Sequence, residues 1–202
     1  RTGDMRIKPM DDALPGYRAN GLKSLPEEIG NLKNLQTFFI ANGDLESLPE
    51  SVANLTNVTD LEIYNCRLMT KFPSVINQLP NLASANLSAN PQWTDVDEAL
   101  REFALSPAGE SIQILYLNEC SLTLLPKEIN NMKKIGMLSV ASNKISKIEA
   151  AFPDISFTQL FLDNNQITSI PHFVNSDGKR MFFRIQDVET ISFSYNKIKL
   201  FP

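Results

Sequence analysis

Apolar residues recur along this chain in a repeating unit of about 23 residues. Within a unit, positions 1, 4, 6 and 11 are apolar, and position 9 usually holds a small polar residue. The apolar residues on either side of position 5 have the two-residue period of a strand with one buried face. The pattern predicts seven short parallel strands, from units that begin at Leu35, Val58, Leu82, Ile112, Ile135, Phe157 and Val188. The later positions of a partial eighth unit are occupied by Tyr17, Asn20, Leu22, Leu25 and Pro26.

Position 9 explains part of an unusual asparagine content. The chain has 19 asparagine and 24 leucine residues among 202. A polar side chain in a turn that enters the core must be hydrogen-bonded, so we expect these asparagines to bond the backbone of neighbouring units. Position 9 holds Asn20, Asn90, Asn143, Asn165 and Asn196, with Gly43, Cys66 and Cys120 in the other units.

The two cysteines, Cys66 and Cys120, occupy position 9 in units that are two apart. Two strand spacings separate such positions by about 10 Å. A disulfide requires α-carbons within about 7 Å of each other. The sequence therefore predicts two buried free thiols.

Most units close with an apolar residue followed by proline, and two continue as Leu25-Pro-Glu-Glu-Ile29 and Leu125-Pro-Lys-Glu-Ile129. With the spacing above, these residues resemble the leucine-rich repeat family, in the short form of about 23 residues found in bacterial and Ras-suppressor-like proteins. The resemblance implies an α/β fold, a right-handed leucine-rich-repeat solenoid. Its curved parallel sheet would form the concave face, and loops and short helical turns would form the convex face.

The repeats divide the chain into a flank and one domain. Residues 1–16 are an N-terminal flank or partial cap, and residues 17–202 form a leucine-rich repeat domain of about eight repeats, with longer return segments at 91–111 and 171–187. In the first of these segments, Thr94-Asp-Val-Asp97 resembles a capped helix start, which predicts a helix over residues 95–105. Because a repeat array needs a terminal cap and the sequence stops directly after a repeat, we expect the natural protein to continue.

Charge and composition exclude several classes of function. The chain has 19 Lys+Arg against 23 Asp+Glu, a net charge of −4, which argues against nucleic-acid binding. It contains no run of 18 apolar residues, so no membrane span is predicted. The single histidine, His172, and the absence of phosphate-loop, zinc-protease and nucleophile-elbow motifs predict a protein with no catalytic residues, metal site or cofactor.

The candidate binding residues occupy positions 3, 5, 7 and 8, which point away from the core by strand alternation. In the leucine-rich repeat family this concave side is the usual binding surface. Here it has no lysine or arginine, and its aromatic and acidic residues are Phe39, Asp60, Glu62, Tyr64, Tyr116, Glu119, Phe161 and Asp163. Aromatic anchors in a polar field are typical of protein interfaces, although aromatic residues also suit strands that bind nothing. We therefore expect a non-catalytic module for a protein partner with a basic surface.

Two other functions remain open at this stage. Tyr64, Tyr116 and Phe161 could stack on sugar rings in a glycan-binding surface module, or the repeats could be a regulatory segment of a larger enzyme. Animal and plant extracellular relatives usually carry disulfide-bonded caps, and none is recognisable here. Their absence argues against an animal or plant extracellular protein. The resemblance therefore favours an extracellular or bacterial cell-surface location, with the cytoplasm as the alternative.

Overall fold

The computed structural model describes residues 21–149, 155, 157–174, 177–178, 180–181 and 188–199. The flank or partial cap expected at residues 1–16 lies outside these ranges. So do Tyr17 and Asn20 of the partial eighth unit, part of the return segment 171–187, and the last three residues of the chain. The described residues form the predicted α/β solenoid, to which each of the seven units contributes one strand of a parallel sheet.

The described residues contain eleven strands, numbered in chain order: β1 (Thr37–Ala41), β2 (Asp60–Tyr64), β3 (Ser84–Asn86), β4 (Ile114–Tyr116), β5 (Leu124–Leu125), β6 (Met137–Ser139), β7 (Lys147–Ile148), β8 (Gln159–Phe161), β9 (Phe173–Val174), β10 (Arg180–Met181) and β11 (Thr190–Ser192). Seven of these make the parallel sheet, in the order β1-β2-β3-β4-β6-β8-β11. The others were not predicted: β5 pairs with β7 in parallel, and β9 pairs with β10 in an antiparallel hairpin.

Short 3-10 helices on the convex side explain the Leu-Pro-x-x-Ile sequences. Within the described ranges they span Glu27–Asn31, Glu50–Asn54, Ser74–Gln78 and Lys127–Asn131, each directly after a proline. Proline fixes its own φ near the value that this turn needs, and its carbonyl accepts the N–H three residues later. Pro126, for example, accepts the N–H of Ile129 at 3.3 Å, and the Ile129 side chain enters the core.

The longer return segment at 91–111 contains α1 (Val96–Ala104) and packs on the convex side. The predicted helix is confirmed, but its predicted capping is wrong. Asp95 is the N-cap residue, yet its carboxylate accepts the N–H of Phe72 at 3.0 Å instead of a helix N–H. Asp97 likewise accepts the N–H of Thr123 at 2.9 Å. Both carboxylates therefore hydrogen-bond α1 to neighbouring coils of the solenoid, in which the backbone N–H groups of Phe72 and Thr123 are the donors.

A second helix in the same segment, α2 (Pro107–Ser111), was not predicted. Its start signal is nevertheless present, since Ser106 Oγ accepts the N–H of Gly109 at 3.2 Å and proline occupies the first helical position. Gly109 lies against the end of α1, where an added β-carbon would be 2.2 Å from the carbonyl oxygen of Phe103. The tight packing of α2 on α1 therefore requires glycine at this position.

One continuous hydrophobic core fills the space between the parallel sheet and the convex side. Under α1 this core is aromatic: the rings of Phe72 and Trp93 meet edge to face with centroids 5.2 Å apart, and those of Phe72 and Phe103 with centroids 6.2 Å apart. Phe103 is 1% exposed. The core thus joins the inserted helix to the coils beneath it.

The asparagines at position 9 form the predicted buried ladder. In Asn143, Oδ1 accepts the N–H groups of Cys120 (2.9 Å) and Leu122 (3.1 Å). Its Nδ2 lies 2.8 Å from the carbonyl oxygen of Leu117 in the preceding coil and 2.9 Å from that of Val140. Equivalent bonds are made by Asn90, Asn165 and Asn196. Each amide therefore satisfies backbone groups of its own coil and of the preceding one.

Cys66 and Cys120 are free and buried, as predicted. Cys120 Sγ lies 3.2 Å from the carbonyl oxygen of Leu87 and 3.3 Å from that of Asn118, so the thiol replaces the amide as a donor in the ladder. Burial raises the pKa of the Cys66 thiol to about 11 and that of Cys120 to about 12. Both thiols consequently remain protonated and unreactive at neutral pH.

On the convex side, Arg101 joins three separate elements. Its Nη1 lies 2.7 Å from Oε2 of Glu128, in the 3-10 helix after Pro126, and 2.8 Å from Oε2 of Glu149, next to β7. The side chains of Arg101, Glu128 and Glu149 are only 17–23% exposed. The hydrogen bond from Arg101 lowers the pKa of the Glu149 carboxyl to about 2. This cluster links α1 to the two following coils.

Glu149→Gln should destabilise the protein at pH 7, and this effect should fade in acid. A carboxylate with a lowered pKa in the folded state stabilises the fold above its ordinary pKa of 4.5 and loses that contribution as the pH falls towards about 2. Urea unfolding at pH 7, 4 and 3 should therefore show a shrinking free-energy difference between wild type and variant. The control, Glu102→Gln on the exposed side of α1, should change the free energy of unfolding by less than about 0.5 kcal/mol. An effect of Glu149→Gln that is equal at pH 7 and pH 3 would contradict the role of this ion pair.

Candidate functional site

Rows of outward-facing side chains cross the parallel sheet, because its seven strands share one register. The row at position 5 contains Phe39, Glu62, Asn86, Tyr116, Ser139, Phe161 and Ser192. Neighbouring strands lie about 4.8 Å apart. Side chains from adjacent units are therefore within contact distance, whereas Phe39, in the first strand of the row, and Phe161, in the sixth, lie five strands apart.

The residue at position 8, in the turn after each of the seven strands, has the left-handed conformation. Its φ lies between 51° and 60° in Asn42, Asn65, Ala89, Glu119, Ser142, Asn164 and Tyr195. Asparagine adopts this conformation more readily than most residues with a β-carbon. The backbone geometry at position 8 thus explains three of the 19 asparagines, namely Asn42, Asn65 and Asn164. Sequence reasoning missed this role, although the asparagines at position 8 were its signal.

Four of the predicted residues come together on β2, β4 and the turn after β4. We call them the tyrosine patch: Glu62, Tyr64, Tyr116 and Glu119. The intervening unit contributes smaller side chains, including Ser84, Asn86 and Ser88. Glu62 Oε2 accepts a hydrogen bond from Asn86 Nδ2 at 3.4 Å. Tyr64, Tyr116 and Glu62 are half-buried and Glu119 is exposed, so the patch presents both ring surface and carboxylates.

The electrostatics of the patch are dominated by its carboxylates. Burial raises the pKa of both tyrosine hydroxyls, and the negative charges of Glu119 and Glu62 raise the pKa of Tyr64 further. Both phenols therefore remain protonated at neutral pH and can donate hydrogen bonds. Neither Glu62 nor Glu119 forms an ion pair in the part of the chain that the structure describes. Within the described ranges, the negative charge of the patch is thus not neutralised by a basic side chain.

Phe39 lies on β1, the first strand of the described sheet, and Asp60 lies on the adjacent strand β2. The Phe39 side chain is 62% exposed, an unusual state for a phenylalanine in a strand. It borders a hollow of about 320 Å³ lined by the apolar side chains of Leu22, Leu25 and Phe38, among others. The Asp60 carboxylate is half-buried and accepts the hydroxyl of Thr59 at 2.7 Å. The edge next to the tyrosine patch is therefore apolar.

Asp163, in the C-terminal half of the face, is bound by the neighbouring unit. Its Oδ1 accepts the N–H of Ser194 at 3.0 Å and a hydrogen bond from the Ser192 hydroxyl. Asn118 has the same place in its unit, where its Oδ1 accepts the N–H of Ala141 (2.8 Å) and the hydroxyl of Ser139 (2.7 Å). Asp163 thus connects strands, and its predicted contact with a partner stays a prediction. Phe161 is half-buried beside it.

Strand alternation alone overestimates the exposed area of this face. Ser88 and Ser139 occupy outward positions by the pattern, but they are only 6% and 5% exposed. Ser88 Oγ accepts the backbone N–H of Asn118 at 3.1 Å, and the Ser139 hydroxyl donates to the side-chain oxygen of Asn118. Short side chains on a concave sheet are covered by their longer neighbours. The surface available to a ligand is therefore smaller than the strand pattern alone predicts.

The described residues show no sign of a metal or membrane site. No three His, Cys, Asp or Glu side chains among them are arranged to hold a metal ion. None of the helices in the described ranges is long and apolar enough to cross a membrane. His172 is exposed.

Comparisons with known proteins identify relatives of the whole repeat array. A leucine-rich repeat protein from Bacteroides eggerthii has a similar structure with a TM-score of 0.77 and 29% identity, covering 91% of this chain and 33% of that one. One from Bacteroides thetaiotaomicron has a TM-score of 0.76 and 28% identity, covering 91% of this chain and 24% of that one. The human leucine-rich repeats and immunoglobulin-like domains protein 3 is 27% identical over 111 residues, which are 54% of this chain and 9% of that protein. The chain thus spans a third or less of each of these relatives.

The family assignment does not depend on one relative. The sequence model described as a leucine-rich repeat region matches residues 16–176, which is most of the chain. This match includes six of the seven strands of the parallel sheet. The chain belongs to the leucine-rich repeat family.

Proposed function

We propose that this chain is a non-catalytic module that binds a partner protein through the concave face of its parallel sheet. The leucine-rich repeat fold is commonly a protein–protein interaction module, and the family is generally non-enzymatic. The observation that carries the choice of face is the set of exposed and half-buried aromatic side chains on it, above all Phe39 and the two tyrosines of the patch. Interfaces favour such anchors, since they bury a large area at a small cost in side-chain entropy.

The chemistry of the face supports binding rather than catalysis. The carboxylates of the face lie on an open surface. Neither cysteine lies on this face, because both thiols are in the core. Catalytic acids and nucleophiles usually lie in a cleft that shifts their pKa towards the working pH. Here the pKa values of the tyrosine hydroxyls are raised, which moves them further from neutral pH.

A comparative pull-down from the source organism tests the proposed face. The immobilised variant Tyr64→Ala/Tyr116→Ala/Glu119→Lys should lose partners that wild type retains, with at least a 10-fold weaker affinity for each purified partner. The matched control is a convex triple variant, Glu102→Ala/Lys133→Ala/Lys134→Ala, whose sites are exposed. Circular dichroism and thermal unfolding should show that both variants fold.

Three outcomes decide this proposal. Retention of the partner by the convex variant and its loss by the concave variant would support binding through the sheet. Equal loss with the convex variant would overturn the choice of face. If wild type instead binds a glycan array, and Tyr116→Ala abolishes this signal, the partner is a sugar and the protein-binding proposal is wrong. The extracellular or bacterial-surface location remains a prediction, which fractionation of the source cells would test.

A further inference from the structure

The two carboxylates of the tyrosine patch form no ion pair in the described ranges, unlike several acids elsewhere in those ranges. On other surfaces, Asp44 pairs with Arg67 at 2.8 Å, and Glu128 and Glu149 share Arg101. Glu62 and Glu119 have no such partner in the described ranges, and none of the outward positions of the seven strands holds lysine or arginine. A charge-complementary ligand would therefore supply the missing cation.

The geometry of the patch indicates where this cation would lie. Glu62 and Tyr116 occupy the same row two strands apart, about 10 Å between α-carbons, with the smaller Asn86 between them. Tyr64 lies two residues beyond Glu62 on the same side of β2, and the charge of Glu119, in the turn after β4, is near enough to raise the pKa of Tyr64. Ser88, in the unit between, is only 6% exposed, so a ligand would meet the surrounding side chains and not the sheet backbone.

We infer that the tyrosine patch recognises an arginine side chain in an extended, basic segment of the partner, an inference that rests on the proposed function. A guanidinium can stack on the face of a tyrosine while it donates paired hydrogen bonds to a carboxylate. The patch has two rings and two carboxylates at this spacing. Lysine would keep the charge but lose the planar stacking and the paired donors. The C-terminal half of the face lacks this combination, because Asp163 is already bound by Ser192 and Ser194.

Three labelled peptides of equal length test this inference by fluorescence polarisation at low salt. The probe alternates glycine with three arginines, and its analogues carry lysine or citrulline, the neutral analogue of arginine, at the same places. We expect the arginine peptide to bind at least 10-fold more tightly than the citrulline peptide and about 3-fold more tightly than the lysine peptide. Affinity should fall as salt is added, since the carboxylates are solvent-accessible.

Conservative variants locate the binding. Glu62→Gln/Glu119→Gln keeps the size of both side chains and should weaken the arginine peptide at least 10-fold. Tyr64→Leu/Tyr116→Leu should remove the preference for arginine over lysine. The matched control, Glu102→Gln/Glu110→Gln on the exposed surfaces of α1 and α2, removes the same number of charges away from the sheet and should stay within 2-fold of wild type. Equal binding of the arginine and citrulline peptides, or an equal loss with the control variant, would overturn the inference.

Failure of this inference is distinguishable from failure of the proposed function. If the peptides do not discriminate but the concave triple variant still loses its protein partner, the partner binds this face without an arginine contact, and only the inference is wrong. If the concave triple variant also keeps its partner, the proposed face is wrong as well.

Discussion

Asn143→Ala should lower the free energy of unfolding by about 4 kcal/mol, because it leaves several buried backbone groups without partners. The Asn143 amide bonds five backbone groups: the N–H groups of Cys120 and Leu122 and the carbonyls of Leu117, Val140 and Ala141. The side chain is 8% exposed, so water cannot replace these bonds without opening the turn. Equilibrium urea unfolding monitored by circular dichroism measures the loss.

Two controls separate the ladder from a general effect of losing asparagine. Asn131→Ala removes an exposed side chain whose one hydrogen bond within the described ranges is to the carbonyl of Glu128, and it should cost less than about 0.5 kcal/mol. Asn143→Cys should cost less than Asn143→Ala, because Cys66 and Cys120 already serve as donors at this position. A loss below about 1 kcal/mol for Asn143→Ala would mean that the ladder does not stabilise the turn.

Gly109→Ala should lower the free energy of unfolding by about 3 kcal/mol, through overpacking of backbone against backbone. The new β-carbon would lie 2.2 Å from the carbonyl oxygen of Phe103 and 2.9 Å from that of Ala104. These atoms belong to the end of α1 and cannot rotate away as a side chain could. The strain would separate α2 from α1 and loosen the aromatic cluster beneath them.

Gly136→Ala is the matched control, because its β-carbon would meet Thr158 Oγ1 at an ordinary 3.4 Å. Here alanine should be neutral or stabilising by up to about 0.5 kcal/mol, since it restricts the unfolded chain. Thermal and urea unfolding of both variants give the comparison. Equal stabilities for the two variants would show that the approach of α2 to α1 is less rigid than its geometry indicates.

The repeat architecture was predictable because each unit carries the same local signals. Alternation at positions 4 to 6 located all seven strands, and the apolar residue and proline at the end of a unit marked the convex return. The buried roles of Asn143 and Cys120 also followed from position alone, since a polar group in an inward turn must be bonded. Recurrence made these signals strong where a single copy would have been ambiguous.

The features that prediction missed depend on contacts between units. Nothing near Arg101 in the sequence indicates Glu128 and Glu149, which are 27 and 48 residues away. The sequence Thr94-Asp-Val-Asp97 indicated a capped helix start, but the Asp95 carboxylate accepts the N–H of Phe72 in a neighbouring coil instead. For the same reason the sequence predicted only a partner-binding role for Asp163, although its carboxylate accepts hydrogen bonds from Ser192 and Ser194. The eight candidate binding residues were placed on one face from sequence, but their division into a tyrosine patch and a hydrogen-bonded half required the structure.

The asparagine ladder gives the solenoid a direction. Asn90, Asn143, Asn165 and Asn196 each complete the turn of the coil before them, so a coil is finished only when the next one is in place. During synthesis from the N-terminus, the turn of the newest coil would therefore lack these hydrogen bonds until the next coil has been made. Loss of a coil by proteolysis would likewise remove hydrogen bonds from the turn of the preceding coil, and unfolding would then proceed towards the N-terminus.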